Sequence, residues 1–90
     1  MTRLARTVTI TNRRGLHARA SAKFVTLAAT LPVEVQVVKD GSPVNGTSIM
    51  GLMMLGAAMG DMITISAQGD GAEAAVDALA NLVEDKFGED

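Results

Sequence analysis

The stretch Thr7–Phe24, TVTITNRRGLHARASAKF, changes its hydrophobic period midway, and that change decides the fold. On its N-terminal side Leu4, Val8 and Ile10 share one face of an extended segment while Thr7, Thr9 and Thr11 occupy the other. A period of two predicts a half-buried strand, which ends near Asn12. From Ala18 onward Ala20, Phe24, Leu27, Ala28 and Leu31 fall on one helical face and Arg19, Lys23, Thr26 and Thr30 on another. The helix stops by Leu31, because Pro32 disfavours helical geometry in the residue before it.

Working outward, Val33, Val35 and Val37 alternate with Glu34, Gln36 and Val38 as a second strand. Asp40-Gly41 supplies the positive-φ turn that folds it back into a short third strand around Pro43 to Asn45. A short helix is expected over Ser48 to Leu55, Gly60-Asp61 turns the chain, and Ile63, Ile65 and Ala67 alternate with Thr64 and Ser66 as a fourth strand. Asp70 stands three residues before Glu73, the spacing of a capping pair, and Val76, Leu79, Ala80, Val83 and Phe87 then make a core-facing stripe that Gly88 ends. The order βαββαβα predicts an α+β open-faced sandwich, a four-stranded antiparallel sheet wet on one face and covered by three helices on the other.

The chain has 90 residues, which predicts one domain spanning 1–90, since so short a chain cannot divide its core. Hydrophobic residues make up 48% and charged residues 20%, enough apolar material to exclude a disordered segment. The absence of cysteine excludes disulfides, zinc thiolates and thiol catalysis. The start leads into alternating Val8 and Ile10 rather than an apolar leader, and no stretch approaches the ~18 apolar residues of a membrane span, so a cytoplasmic protein without membrane insertion is expected. A formal charge of -2 with only Phe24 and Phe87 as aromatics argues against nucleic-acid binding.

Gly15-Leu16-His17-Ala18-Arg19 lies where the first strand hands over to the first helix and carries the only histidine. The first turn of a helix leaves amides without internal partners, here those of Ala18, Arg19 and Ala20, and bears the positive end of the macrodipole. An anion is stabilised there, and the same field favours the uncharged, nucleophilic ring that a phosphoryl acceptor needs. A phosphoryl group on His17 would receive hydrogen bonds from those amides and from the forked guanidinium of Arg19, with Arg14 a weaker second. A plain helix-start histidine is the alternative. Residues 12–25 contain no Asp or Glu, which argues against a hydrolase triad.

The second unusual segment is Ser48-Ile49-Met50-Gly51-Leu52-Met53-Met54-Leu55. One short helix cannot bury all its large apolar side chains. If Leu52 and Leu55 face the sheet, Ile49, Met50 and Met53 form an exposed patch suited to docking, although each methionine can equally fill a core gap. Ser48 is placed to cap that helix, and a phosphate there would add charge beside the patch.

Together these segments resemble the HPr phosphocarriers of the bacterial phosphoenolpyruvate-dependent phosphotransferase system over nearly the whole chain. Gly15-Leu16-His17-Ala18-Arg19 is similar to the family's active-site motif and Ser48-Ile49-Met50-Gly51 to its regulatory serine segment. The resemblance implies phosphorylation of His17 at Nδ1 by an enzyme I-type phosphotransferase, delivery to IIA-type acceptors, and Ser48 as the target of an HPr kinase/phosphorylase. It further implies a partner surface of Leu16, Lys23, Thr47, Ile49, Met50, Met53 and Met54, in a monomer without cofactor or metal. Ala20 stands where many members have proline, a feature similar to the nitrogen-regulatory branch. Two other classes fit the element order: a ferredoxin-like small-molecule-binding regulatory module, in which His17 would be dispensable, and a docking adaptor that uses the methionine patch without covalent chemistry.

Overall fold

The computed structural model describes residues 3–89. In chain order the elements are β1 (Leu4–Thr9), α1 (Ala18–Ala28), β2 (Val35–Lys39), β3 (Ser42–Asn45), α2 (Ile49–Met54), β4 (Met62–Ala67) and α3 (Ala72–Glu84), followed by a single tight turn at Lys86–Gly88. The strands form one sheet in the order β1-β4-β2-β3, antiparallel at every pairing. This is the βαββαβα sandwich that the alternating patterns predict. A ferredoxin-like arrangement is excluded by the position of β1, which lies at the sheet edge beside β4 rather than inside the sheet.

Register follows from the period of two. Val8 stands opposite Ile63, and Val37 opposite Ile65, all four buried beneath the helices. On the open face Thr7 is paired with Thr64, their hydroxyls 2.9 Å apart, so the outer surface satisfies itself and water with polar groups. The β2–β3 hairpin closes through Asp40 and Gly41 at φ 51° and 80°, both left-handed, as a two-residue turn matching the strand twist requires. Beneath the sheet α3 packs across β1 and β4, while α1 packs on α2 and α3. The resulting core is continuous from Ile10 and Phe24 to Leu52, Leu79 and Phe87. Fully burying side chains of this size is worth about 1.5–3 kcal/mol each, and such burial supplies the main force that offsets chain entropy.

Several boundaries differ from the sequence reading for physical reasons. β1 ends at Thr9, yet Ile10 stays buried, its amide bonded to the Asp61 carbonyl and its carbonyl to the Gly60 amide, both at 2.8 Å. α1 ends at Ala28, after which the Thr30 and Leu31 amides tighten onto the carbonyls of Leu27 and Ala28. Asp70 does not cap α3. The cap position belongs to Gly71 at φ 89°, with no side-chain cap bond, because a left-handed residue there turns the chain into the helix; a Cβ would meet Pro32 Cγ at 2.9 Å. Phe87 belongs to the core but not to the helical stripe. α3 stops at Glu84, and a left-handed run through Lys86, Phe87 and Gly88 tucks the ring inward.

Candidate functional site

The loop between β1 and α1 is pinned from below by Gly15. Its φ of +63° suits glycine, and a Cβ there would meet the Ala57 carbonyl oxygen at 2.3 Å and Ala58 Cα at 2.9 Å. That close approach lets the Leu16 amide donate to the same Ala57 carbonyl at 2.9 Å, fastening the loop to the segment after α2. Leu16 itself is buried, 5% exposed, so it holds the loop in the core and does not line an outer surface as the resemblance implied. An apolar side chain flanked by that backbone clamp has no route outward.

His17 caps α1 with extended backbone, φ -74° and ψ -179°, and its carbonyl accepts from the Ser21 amide at 2.9 Å. The ring is half-buried. Nδ1 accepts from the Arg19 amide at 3.3 Å, while Nε2 lies 3.1 and 3.2 Å from the two carboxylate oxygens of Glu89. These partners assign the tautomer: a backbone amide can only donate, so Nδ1 carries the lone pair and the ring proton sits on Nε2, facing the carboxylate. Of the three first-turn amides expected to be bare, that of Arg19 is taken by the ring; those of Ala18 and Ala20 have no acceptor among the described residues.

On the side of Glu89, the carboxylate that meets the ring, Arg13, Arg14, Arg19 and Glu89 line an open cavity of about 270 Å³. None of these arginines forms an ion pair among the described residues, so their donors remain available to an incoming anion. The Glu89 carboxyl is held below its ordinary value by the hydrogen bond from Asn12, then by that with His17, against a smaller opposing effect of burial, with the Lys23 charge adding to the lowering. Asn12 is fully buried and donates through Nδ2 to the Gly15 carbonyl and to Glu89 Oε1, each at 2.9 Å.

The second segment is built as the sequence suggests. Ser48 caps α2, its Oγ accepting from the Gly51 amide at 2.9 Å. Leu52 is fully buried and Leu55 half-buried, which turns Ile49, Met50, Met53 and Met54 outward, with Met50 69% and Met54 80% exposed. Thr47 is exposed and bonded to Asn45; Lys23 is exposed along its stem but its Nζ donates to the Phe87 carbonyl at 2.7 Å. Sequence reasoning missed Asn12, Arg13 and Glu89. Glu89 lies 72 residues from His17 along the chain, so a search for carboxylates within residues 12–25 does not reach it. No local signal points to this pairing, which exists only once the C-terminal turn has folded back.

A small antiparallel sandwich that presents one histidine at a helix start, among unpaired guanidinium groups and open amides, is of the class that carries an anionic group on a side chain. The family model described as the PTS HPr component phosphorylation site matches residues 4–85. The chain is 44% identical to phosphocarrier protein NPr of Shewanella violacea, over 99% of this chain and 98% of that one. To phosphocarrier protein HPr of Neisseria meningitidis serogroup A it is 48% identical, over 96% and 97%. The crystal structure of HPr from Thermoanaerobacter tengcongensis superposes with a TM-score of 0.89 at 44% identity, over 100% of this chain and 99% of that chain. The chain belongs to the HPr family of phosphocarriers, relay components of the phosphotransferase system and not enzymes.

Proposed function

We propose that His17 accepts a phosphoryl group at Nδ1 from an enzyme I-type phosphotransferase and passes it to IIA-type acceptor proteins in the cytoplasm. The observation that carries this reading is the division of labour on the ring. Nε2 is engaged by Glu89, whereas Nδ1 faces the start of α1, where the amides of Ala18 and Ala20, the Arg19 guanidinium, and the Arg19 amide once a bond to phosphorus takes the Nδ1 lone pair from it, can bond phosphoryl oxygens. Each such contribution is modest, about 0.3–1 kcal/mol for a charge at an exposed helix end. A carrier works best with modest holding, because every ~1.4 kcal/mol of excess stabilisation slows onward transfer about tenfold.

The exposed face of α2 with Ile49, Met50, Met53 and Met54, flanked by Thr47 and by Lys23 on α1, is the surface on which donor and acceptors dock in turn. Flexible thioethers adapt to differently shaped partners. A phosphate placed on Ser48 by an HPr kinase/phosphorylase adds charge at the edge of that surface and weakens docking without reshaping the fold. This regulatory part fails if Ser48→Asp and genuine Ser48 phosphorylation both leave the rate of transfer to His17 unchanged.

The decisive experiment incubates the protein with phosphoenolpyruvate and an enzyme I-type protein, followed by intact mass measurement. The expected result is an acid-labile gain of one phosphoryl group in wild type and none in His17→Ala. Uptake by His17→Ala, or partner binding with no uptake by either, overturns the reading in favour of another acceptor or a docking adaptor.

A further inference from the structure

The residues after α3, Lys86 to Glu89, follow a constrained path. Lys86 and Phe87 adopt left-handed backbone at φ 57° and 55°, a region disfavoured for any residue with a Cβ, and Gly88 continues it at 75°. Three contacts enforce this path. The Phe87 side chain is fully buried, its carbonyl accepts from Lys23 Nζ at 2.7 Å, and Asn12 Nδ2 donates to Glu89 Oε1 at 2.9 Å. Asn12 meanwhile leaves its own buried Oδ1 without a partner among the described residues, so its amide is oriented for the sake of its donor end. Backbone strain and an orphaned acceptor converge on one outcome, a carboxylate against Nε2 of His17 at 3.1 and 3.2 Å.

Resting on the reading of His17 as phosphoryl acceptor, we propose that Glu89 is a positioning residue for the transfer: it holds the ring proton on Nε2, leaves the Nδ1 lone pair for attack, and steadies the positive charge the ring gains. The electron count is simple. The Nδ1 lone pair forms the bond to phosphorus, the bond from phosphorus to the donor's leaving atom breaks, and that electron pair stays with the donor. No proton leaves the ring, so the phosphorylated imidazole is cationic with its proton still on Nε2, and the hydrogen bond to Glu89 becomes charge-assisted at both ends. Onward transfer reverses the sequence, the pair returning to Nδ1 and the ring to neutrality. A carboxylate that orients an imidazole and stabilises its cation without taking its proton is the same device that serves hydrolytic triads, here delivered by the left-handed turn that follows α3. The charged groups near the pair are Arg13 and Arg14 from the loop and Arg19 and Lys23 from α1, all cationic; Glu89 is kept ionised first by the hydrogen bond from Asn12, then by that with His17, with the Lys23 charge a smaller contribution.

The test compares wild type with Glu89→Gln, which preserves shape and removes the charge. With a phosphorylated enzyme I-type donor, kcat for uptake on His17 is expected to fall about tenfold, the low end for a charge-assisted hydrogen bond at a half-exposed site. KM stays within twofold, because the docking surface is untouched, and the acid limb of the rate–pH profile that follows Glu89 ionisation disappears. Ring 15N resonances of unphosphorylated wild type should report the Nε2–H tautomer, and Glu89→Ala should shift the Nε2 resonance. Wild-type kcat and pH profile in Glu89→Gln, or ring resonances indifferent to Glu89→Ala, overturn the proposal alone. Failure of wild type itself to take up a phosphoryl group overturns the reading of His17 and the proposal with it.

Discussion

Substituting Gly15 with alanine isolates the clamp that positions the His17 loop. The added Cβ would lie 2.3 Å from the Ala57 carbonyl oxygen, and restoring ordinary contact near 3.4 Å requires the backbones to part by about 1 Å. That separation weakens the Leu16 amide to Ala57 carbonyl hydrogen bond, worth roughly 0.5–1.5 kcal/mol. The left-handed φ of +63° adds about 1–2 kcal/mol for a residue with a Cβ. Together these give a loss of about 1.5–3.5 kcal/mol, which for a domain of this size lowers Tm by roughly 6–28 °C. Gly41→Ala is the matched control, since its φ is +80° and nothing lies within 4 Å of the new Cβ. It should show the conformational cost alone, about 1–2 kcal/mol. Thermal unfolding followed by circular dichroism measures both. Equal shifts for the two variants, or a Gly15→Ala protein within about 3 °C of wild type, would refute the steric part of the reasoning.

The remaining expectations concern packing, docking and pH. Leu52→Ala, at a fully buried position, should cost about 2–5 kcal/mol in chemical denaturation, whereas Met54→Lys, 80% exposed on the same short helix, should stay within about 0.5 kcal/mol of wild type yet raise KM with acceptor proteins. Because the folded Glu89 carboxyl lies below its ordinary value of 4.5, its contacts contribute stability that is fully present above pH 4.5 and lost as pH falls through the depressed folded value. Carboxyl-detected NMR titration should therefore give Glu89 a midpoint below 4.5 that moves back up in Asn12→Ala, whose amide makes the largest contribution to the lowering. An unmoved midpoint in that variant counts against the Asn12–Glu89 contact.

Most of the sheet was legible because β1, β2 and β4 carry their own alternation, and a period of two tolerates no register error without exposing residues such as Val8, Val37 or Ile65. The Asp40-Gly41 turn and the Ser48 cap were likewise readable, since both depend on residues adjacent in the chain. Expectation failed where distant segments decide a local choice. Gly71 rather than Asp70 caps α3 because Pro32 packs against it, and Leu16 is buried because the loop is clamped to Ala57. The same cause hid half of the site. His17 and Arg19 sit in one contiguous motif, but Asn12 acquires meaning only from Glu89, and Glu89 arrives through left-handed Lys86 and Phe87, which no propensity favours, before Gly88.

Ring-detected 15N NMR of the protein after phosphorylation by phosphoenolpyruvate and an enzyme I-type donor tests the central claim most directly. The structure engages Nε2 with Glu89 and turns Nδ1 toward the start of α1, so phosphorus–nitrogen coupling is expected at Nδ1 with a proton retained on Nε2. Coupling at Nε2, or a phosphoryl group found anywhere other than His17, would contradict it.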